Sequence, residues 1–144
     1  MVIDMPMSKK YCVEKIHLLS IPKGEEIISY ITRYVEENNI RTAIVIAIGS
    51  LYDVKIGYYS VEKDKYLEIK LNGYYELLSA VGNVSLKYNK PFLHLHVTLG
   101  DHEGRVYGGH LLHGKVFVAE TKIIELKGEP ITRSKFTDAL WLWS

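Results

Sequence analysis

The chain has 144 residues, with 18 Lys plus Arg against 17 Asp plus Glu and a formal net charge of +1. Hydrophobic residues make up 47% and charged residues 24%, which excludes a disordered polyelectrolyte and supplies no general cationic excess for neutralising nucleic-acid phosphates. A single domain spanning 1–144 and burying roughly two-thirds of its unfolded surface is expected.

Cys12 is the only cysteine, so no internal disulfide forms, and it reads as a small buried strand residue in a reducing compartment. The opening "MVIDMPMSKKYC" lacks the charged-then-apolar order of a leader, and no apolar run approaches the ~20 residues needed to span a bilayer. These features place the chain in the cytoplasm, with no membrane among its partners. Glutamine is absent while Ile, Tyr, Lys and Glu are abundant, a lean toward a thermophilic source.

In chain order, "YCVEKIHLL" (11–19) alternates as a strand and is broken by Pro22 and Gly24. From Glu25, the positions Ile27, Ile28, Ile31, Tyr34 and Val35 follow a helical period, with Glu25 and Glu26 at the positive end of the helix dipole and a stop near "ENN". "RTAIVIAI" reads as a strand buried on both faces, broken at Gly49 and Ser50, and "YDVKIGYYS" as the next strand. "EKDK" and "NG" are expected turns around "YLEIKL", after which "YYELLSAVGNVSLKY" is long enough for a strand bent or bulged at Gly82. "FLHLHVTLGD", "VYGGHLL" and "GKVFVAETKIIEL" complete the β-rich part. In the tail, Trp141 and Trp143 flank Leu142, so their rings face one way if the segment is extended, docked on this domain or on a neighbouring subunit.

Five of the six histidines lie within residues 92–114. On a strand, His94 and His96 share a face about 6.6–6.8 Å apart along the backbone, close enough for two imidazoles to converge on one ion. His110 is the best third ligand, because "DHEGR" turns the chain back and "YGGH" provides two glycines where backbones approach. Three imidazoles and an open position suit a divalent metal, zinc in particular. His17, His102 and His113 are set aside as ligands. Partly buried histidines bonded to backbone remain the alternative at this point.

The remaining chemistry is sparse. Phosphate-cradle, dinucleotide, nucleophile-elbow and paired-cysteine motifs are absent, so catalytic residues are unknown and no organic cofactor site is expected. Asp101, Glu103 and Arg105 fit a solvated turn, or a turn that assists a nearby ion. Glu76, among apolar residues, either has a partner or faces outward from its strand.

The segments "ELLSAVGNVSL" and "GRVYGGHL", in their order and spacing, are identified as belonging to the plants-and-prokaryotes-conserved (PPC) domain, over approximately residues 11–126. The resemblance implies an α/β (α+β) fold, with a strongly curved, mostly antiparallel sheet packed on one main helix and three copies forming a homotrimer; the docking expected of Trp141 and Trp143 makes 127–144 an ordered tail. In plants the domain follows an AT-hook and acts in nuclear DNA binding, which implies DNA as a partner. This chain has no "RGRP" and no basic excess. Prokaryotic members similar to it stand alone and present the positions of His94, His96 and His110 together as a metal site. Two functions follow: a trimeric binding or regulatory protein, or a metal-dependent enzyme acting on a small molecule, with Glu76 or Asp101 as the nearby base.

Overall fold

The computed structural model describes residues 7–144. The expectation of no leader rests largely on residues 1–6, outside the described residues. The elements in order are β1 (Cys12–Ile21), α1 (Ile27–Glu37), β2 (Ala43–Ser60), β3 (Lys65–Lys87), β4 (Lys90–Gly100), β5 (Val106–Lys127), β6 (Arg133–Lys135) and β7 (Trp141–Trp143). Five strands form an antiparallel sheet in the order β1-β5-β2-β3-β4, and β5 also pairs with β4. Strands β2, β3, β4 and β5 therefore close a ring, with β1 as an edge beside β5. The result is the mostly antiparallel, curved α+β architecture expected from the sequence.

Closure bends the long strands, and this corrects several local expectations. The break expected at Gly49–Ser50 is a register shift inside a continuous β2, between Ala47 and Gly49. The "NG" turn at Asn72–Gly73 is likewise absent, because the residues that would flank a hairpin both pair with β2, Leu71 with Val54 and Tyr74 with Tyr52. There Asp53 (φ 51°) and Gly73 (φ 89°) absorb the bend in two facing strands. The true two-residue hairpin is Tyr88–Asn89, both at positive φ, joining Lys87 to Lys90.

The bulge expected at Gly82 lies instead between Leu77 and Ser79, and pairing with β4 is regular across Gly82. Gly82 has a different task. A Cβ there would overlap the His94 carbonyl, so glycine permits the close approach of β3 to β4.

The core lies inside the ring and under the helix. Ile27, Ile31 and Val35 of α1 are buried, together with Val45, Leu51 and Val54 of β2, Leu95 and Leu99 of β4, and Leu111, Val116 and Ile123 of β5. Each such side chain contributes roughly 1.5–3 kcal/mol by burial. The helix starts after Glu26, whose carboxylate accepts from the backbone N–H of Ile28 (3.2 Å) and Ser29 (2.8 Å) and also from Gly114 of β5 (3.2 Å). One side chain thus caps the helix and ties it to the sheet. His17 adds a second tie, bonding the Tyr34 hydroxyl through Nδ1 and Glu125 through Nε2, each at 2.9 Å.

Two burial expectations are overturned. Cys12 is exposed, since it opens an edge strand whose first five residues are all exposed. The run "AIVIAI" is buried on one face only: Val45 and Ala47 are in the core, while Ile44 and Ile48 are 40% and 45% exposed. The ring has its core inside, so alternate residues of β2 necessarily point out.

The tail after β5 crosses β3 and folds back as the β6–β7 hairpin. The Leu86 N–H donates to the Ile131 carbonyl (2.8 Å), and the Ile131 N–H donates to the buried Thr42 hydroxyl (3.0 Å). Asp64 accepts from the Thr137 hydroxyl (2.6 Å), the Tyr59 hydroxyl (2.7 Å) and the Asp138 N–H (3.1 Å). Trp141 packs edge-on to Tyr88 at 4.7 Å, whereas Trp143 is 42% exposed. No helix of the described residues is long and apolar enough to cross a membrane.

Replacing Gly82 by Ala is expected to destabilise the protein by about 1–3 kcal/mol, because backbone rather than a flexible side chain must move. Urea unfolding with an unchanged m-value checks this, and perturbation of the His94 amide resonance should accompany it.

Candidate metal centre

Strand β4 sends Leu93, Leu95, Val97 and Leu99 into the core, so Phe92, His94, His96 and Thr98 point outward. Strand β5 buries Leu111 and turns His110 to the same outer surface. His110 lies directly opposite His96 in the β4–β5 register and opposite Gly57 in the β2–β5 register, so it stands where the ring closes. The two glycines before it allow that closure: a Cβ at Gly109 would sit 2.8 Å from the Gly57 carbonyl, and one at Gly108 would sit 3.0 Å from that of Val97.

The register is set by the turn before β5. The Asp101 carboxylate accepts from the N–H groups of Glu103 and Arg105 (2.9 Å each), the Arg105 guanidinium (2.8 Å) and the Tyr107 hydroxyl (3.3 Å). Burial acts to raise its pKa, but the Arg105 side chain and these N–H groups outweigh burial and hold it at about 2. Asp101 is therefore committed to the turn. Glu76 is exposed and pairs with Gly100, four residues beyond His96, or about 13 Å along the strand. The structure brings neither expected base to the histidines.

His94, His96 and His110 do converge. Their ring centroids are 4.9, 5.0 and 5.6 Å apart, and one nitrogen from each lies within 4.8 Å of the others. His94 Nε2 and His96 Nε2 are 3.1 Å apart. Two nitrogens on one tetrahedral zinc lie about 3.4 Å apart, so a pair at the 4.8 Å limit closes with a shift of roughly 1.4 Å. His110 Nδ1 is buried with no hydrogen-bond partner in the protein, and such an atom calls for an occupant. Donor type, spacing and the orphan nitrogen all fit a divalent transition metal.

Burial, and then the neighbouring His110, Arg133 and His96, push His94 down to about 4. Burial, and then His96, do the same to His110. Both are neutral at pH 7, the state in which an imidazole nitrogen has a lone pair to offer. His102 is solvent-exposed beside Glu103, His113 lies 3.5 Å from Asp53, and His17 is held by Tyr34 and Glu125. All three stand apart from the cluster, as the sequence suggested.

Sequence reasoning missed the residues around the triad. Tyr66 of β3 stacks on His110 at 4.6 Å. Arg133 of β6 reaches β3, donating to Ser85 (2.7 Å) and Asn83 (2.8 Å), and Asn83 pairs with His94 in the sheet. No local pattern signals these neighbours, because the tail brings Arg133 there across 39 residues of chain from His94.

The lowered values carry a pH dependence. The unfolded chain binds protons at the ordinary histidine value of 6.5, while folded His94 and His110 resist them down to about 4. Metal-free protein should therefore lose stability as pH falls from about 6.5 to about 4, with no further loss from these groups below that. Urea unfolding across that range, with His94→Asn and His110→Asn flattening the slope, checks it. Imidazole NMR signals of both residues should remain in the neutral form at pH 5.

The fold is shared with solved structures. A plant- and prokaryote-conserved (PPC) protein from Pyrococcus horikoshii is 46% identical, with 96% of this chain and 97% of that one covered at a TM-score of 0.93. A metal-containing protein from Archaeoglobus fulgidus is 39% identical, covering 96% and 99%, at 0.90. A candidate DNA-binding protein from Bacteroides thetaiotaomicron, 23% identical over 93% and 96% at 0.84, shares the fold. No curated protein matches the chain. The Plants and Prokaryotes Conserved (PCC) domain matches residues 9–127, and the chain belongs to that family.

Proposed function

We propose that this chain is a single-domain, metal-binding PPC protein in which His94, His96 and His110 hold one divalent transition metal, zinc being the ion best suited to three imidazoles. The observation that carries the reading is the trio of outward imidazoles on two adjacent strands, two of them neutral at pH 7, with a buried nitrogen lacking any partner. The metal content of the Archaeoglobus relative, 39% identical, supports it. When bound, such an ion supplies a Lewis acid with room for a further ligand. The chain's own groups orient it: Tyr66 stacks on His110, and the β3–β4 approach at Gly82 sets the position of His94.

Assembly is the second part of the proposal. The outer sheet face carries Leu18 (75% exposed), Ile46 and Val81 in one row, with Lys122 between Leu18 and Ile46, and Ile16 (63%), Ile44 and Ile48 in the rows on either side. A row of apolar strand residues left open to water is what a subunit interface covers. The homotrimer implied by the family resemblance provides the cover, and the same row continues to His96, which pairs with Val81. A regulatory role with DNA as a partner is supported by the candidate DNA-binding relatives. Enzymatic action on a small molecule is the second reading, favoured by a cavity that reaches His94 and His110.

Protein purified without an affinity tag should contain about one transition-metal ion per chain by elemental analysis. The His94→Ala, His96→Ala variant should lose it, and a wild-type content below about a tenth of an equivalent would end the metal reading. Sedimentation at micromolar concentration should give three times the chain mass. Replacing Leu18 and Ile48 with Lys should give monomers, and a wild-type monomer would contradict the assembly.

A further inference from the structure

Beside the histidines, the β6–β7 hairpin and the loop between its strands roof the outer surface of β3 and β4. They leave a cavity of about 120 Å³ with His94 and His110 in its wall. Its charged groups are Arg133 and Lys87, and no carboxylate lines it. Among the described residues neither cation has an acidic partner within ion-pair distance. In a chain with 17 acidic residues against 18 basic ones, two neighbouring unpaired cations are a local choice and do not follow from composition.

Arg133 is the more telling of the two. It is half-buried, and burial lowers the pKa of its guanidinium. Neutral acceptors hold it: Nε donates to the Ser85 hydroxyl, one Nη to the Asn83 side-chain Oδ1 and the other to the Trp141 backbone carbonyl at 3.0 Å. These bonds fix the plane of the fork without cancelling its charge. A guanidinium has five N–H groups, so one on each Nη is left over for an anion. A desolvated, pre-oriented charge lacking a counter-ion is costly for a merely structural residue.

The remaining walls suit an apolar body. Lys87 stands over Trp141 at 4.7 Å and Phe92 at 5.2 Å, Arg133 stands over Phe92 at 5.3 Å, and Tyr66 adds a third ring. The volume approaches the ~150 Å³ of a cavity that accepts benzene, which limits an occupant to a few heavy atoms beyond its head group.

We propose that this cavity binds a small organic carboxylate, its head group paired with Arg133 and Lys87 and its short apolar body held against Phe92, Trp141 and Tyr66, within reach of His94 and His110. The site uses the chain's own cations, so it goes beyond the metal reading and holds without the ion. If the ion is also bound, the occupant lies beside it, which gives the enzymatic reading its substrate class.

The test uses metal-free protein carrying Trp143→Phe, so that Trp141 is the sole tryptophan, titrated with isobutyrate at constant ionic strength. Saturable change in Trp141 emission with a rise in Tm is expected. Lys87→Met and Arg133→Lys, each first checked for native Tm and circular dichroism, should weaken binding by about tenfold or more. Arg133→Lys keeps the charge and loses the fork, so its loss separates paired recognition from simple attraction. Absence of saturation up to about 10 mM, the weak end of specific binding, would overturn the proposal. So would unchanged affinity in both variants, tighter binding of inorganic phosphate than of isobutyrate, or binding that appears only after zinc is added back. Elemental analysis of the same samples reports separately on the histidines, so failure of one site is distinguishable from failure of the other.

Discussion

Closure of the sheet is the constraint on which the rest depends. Strand β5 bonds to β4 through Val106–His110, to β2 through residues 110–125 and, on its other side, to β1 through residues 119–127. One strand can serve three neighbours only if the backbones meet without side chains in the way, and Gly108 and Gly109 lie where they meet. The pairing of His96–Gly100 with Val106–His110 covers edges of β4 and β5 that a four-strand open sheet would leave exposed. His110 is the residue at the seam, and its position opposite His96 follows from closure and from no property of its own.

The same closure divides the chain's apolar residues into two populations. Those pointing in form the core with α1, while those pointing out on β1, β2 and β3 remain in water within a single chain. The electrostatics divide likewise. Asp101, Asp64 and Glu26 are spent on backbone N–H groups and hydroxyls that hold a turn, the tail and the helix start. The surface around the triad is left with imidazoles, Lys87 and Arg133, whose charges have no acid nearby. Burial keeps His94 and His110 neutral, and a region poor in carboxylates makes an anion the natural visitor.

Much of this was legible in the sequence because alternation and periodicity are local. The helix over Ile27–Glu37, its acidic start, the shared face of His94 and His96, and the return of the chain to His110 all follow from spacing within a few residues. The misreadings share one cause. Gly49–Ser50 and Asn72–Gly73 look like breaks locally, yet a partner strand on each side carries them as bends in a long ladder. Gly82 looks like a bulge and is a contact, Cys12 looks buried and lies on an exposed edge. The "AIVIAI" run looks doubly buried because its outer face is apolar, whatever covers it.

By itself, then, the sequence determined the strand-rich class, the single helix, the family and the three histidines, since each is written in residue types at short, regular spacings. Only the tertiary structure decided that β5 seals the ring, that Glu76 and Asp101 stand away from the histidines or are already committed, and that Tyr66 stacks on His110. It alone brought Arg133, from a polar tail without a motif, to β3 beside His94. These are meetings between segments far apart in the chain, fixed by hydrogen-bond register and by the tail's crossing of β3, and no local pattern encodes a register between distant strands.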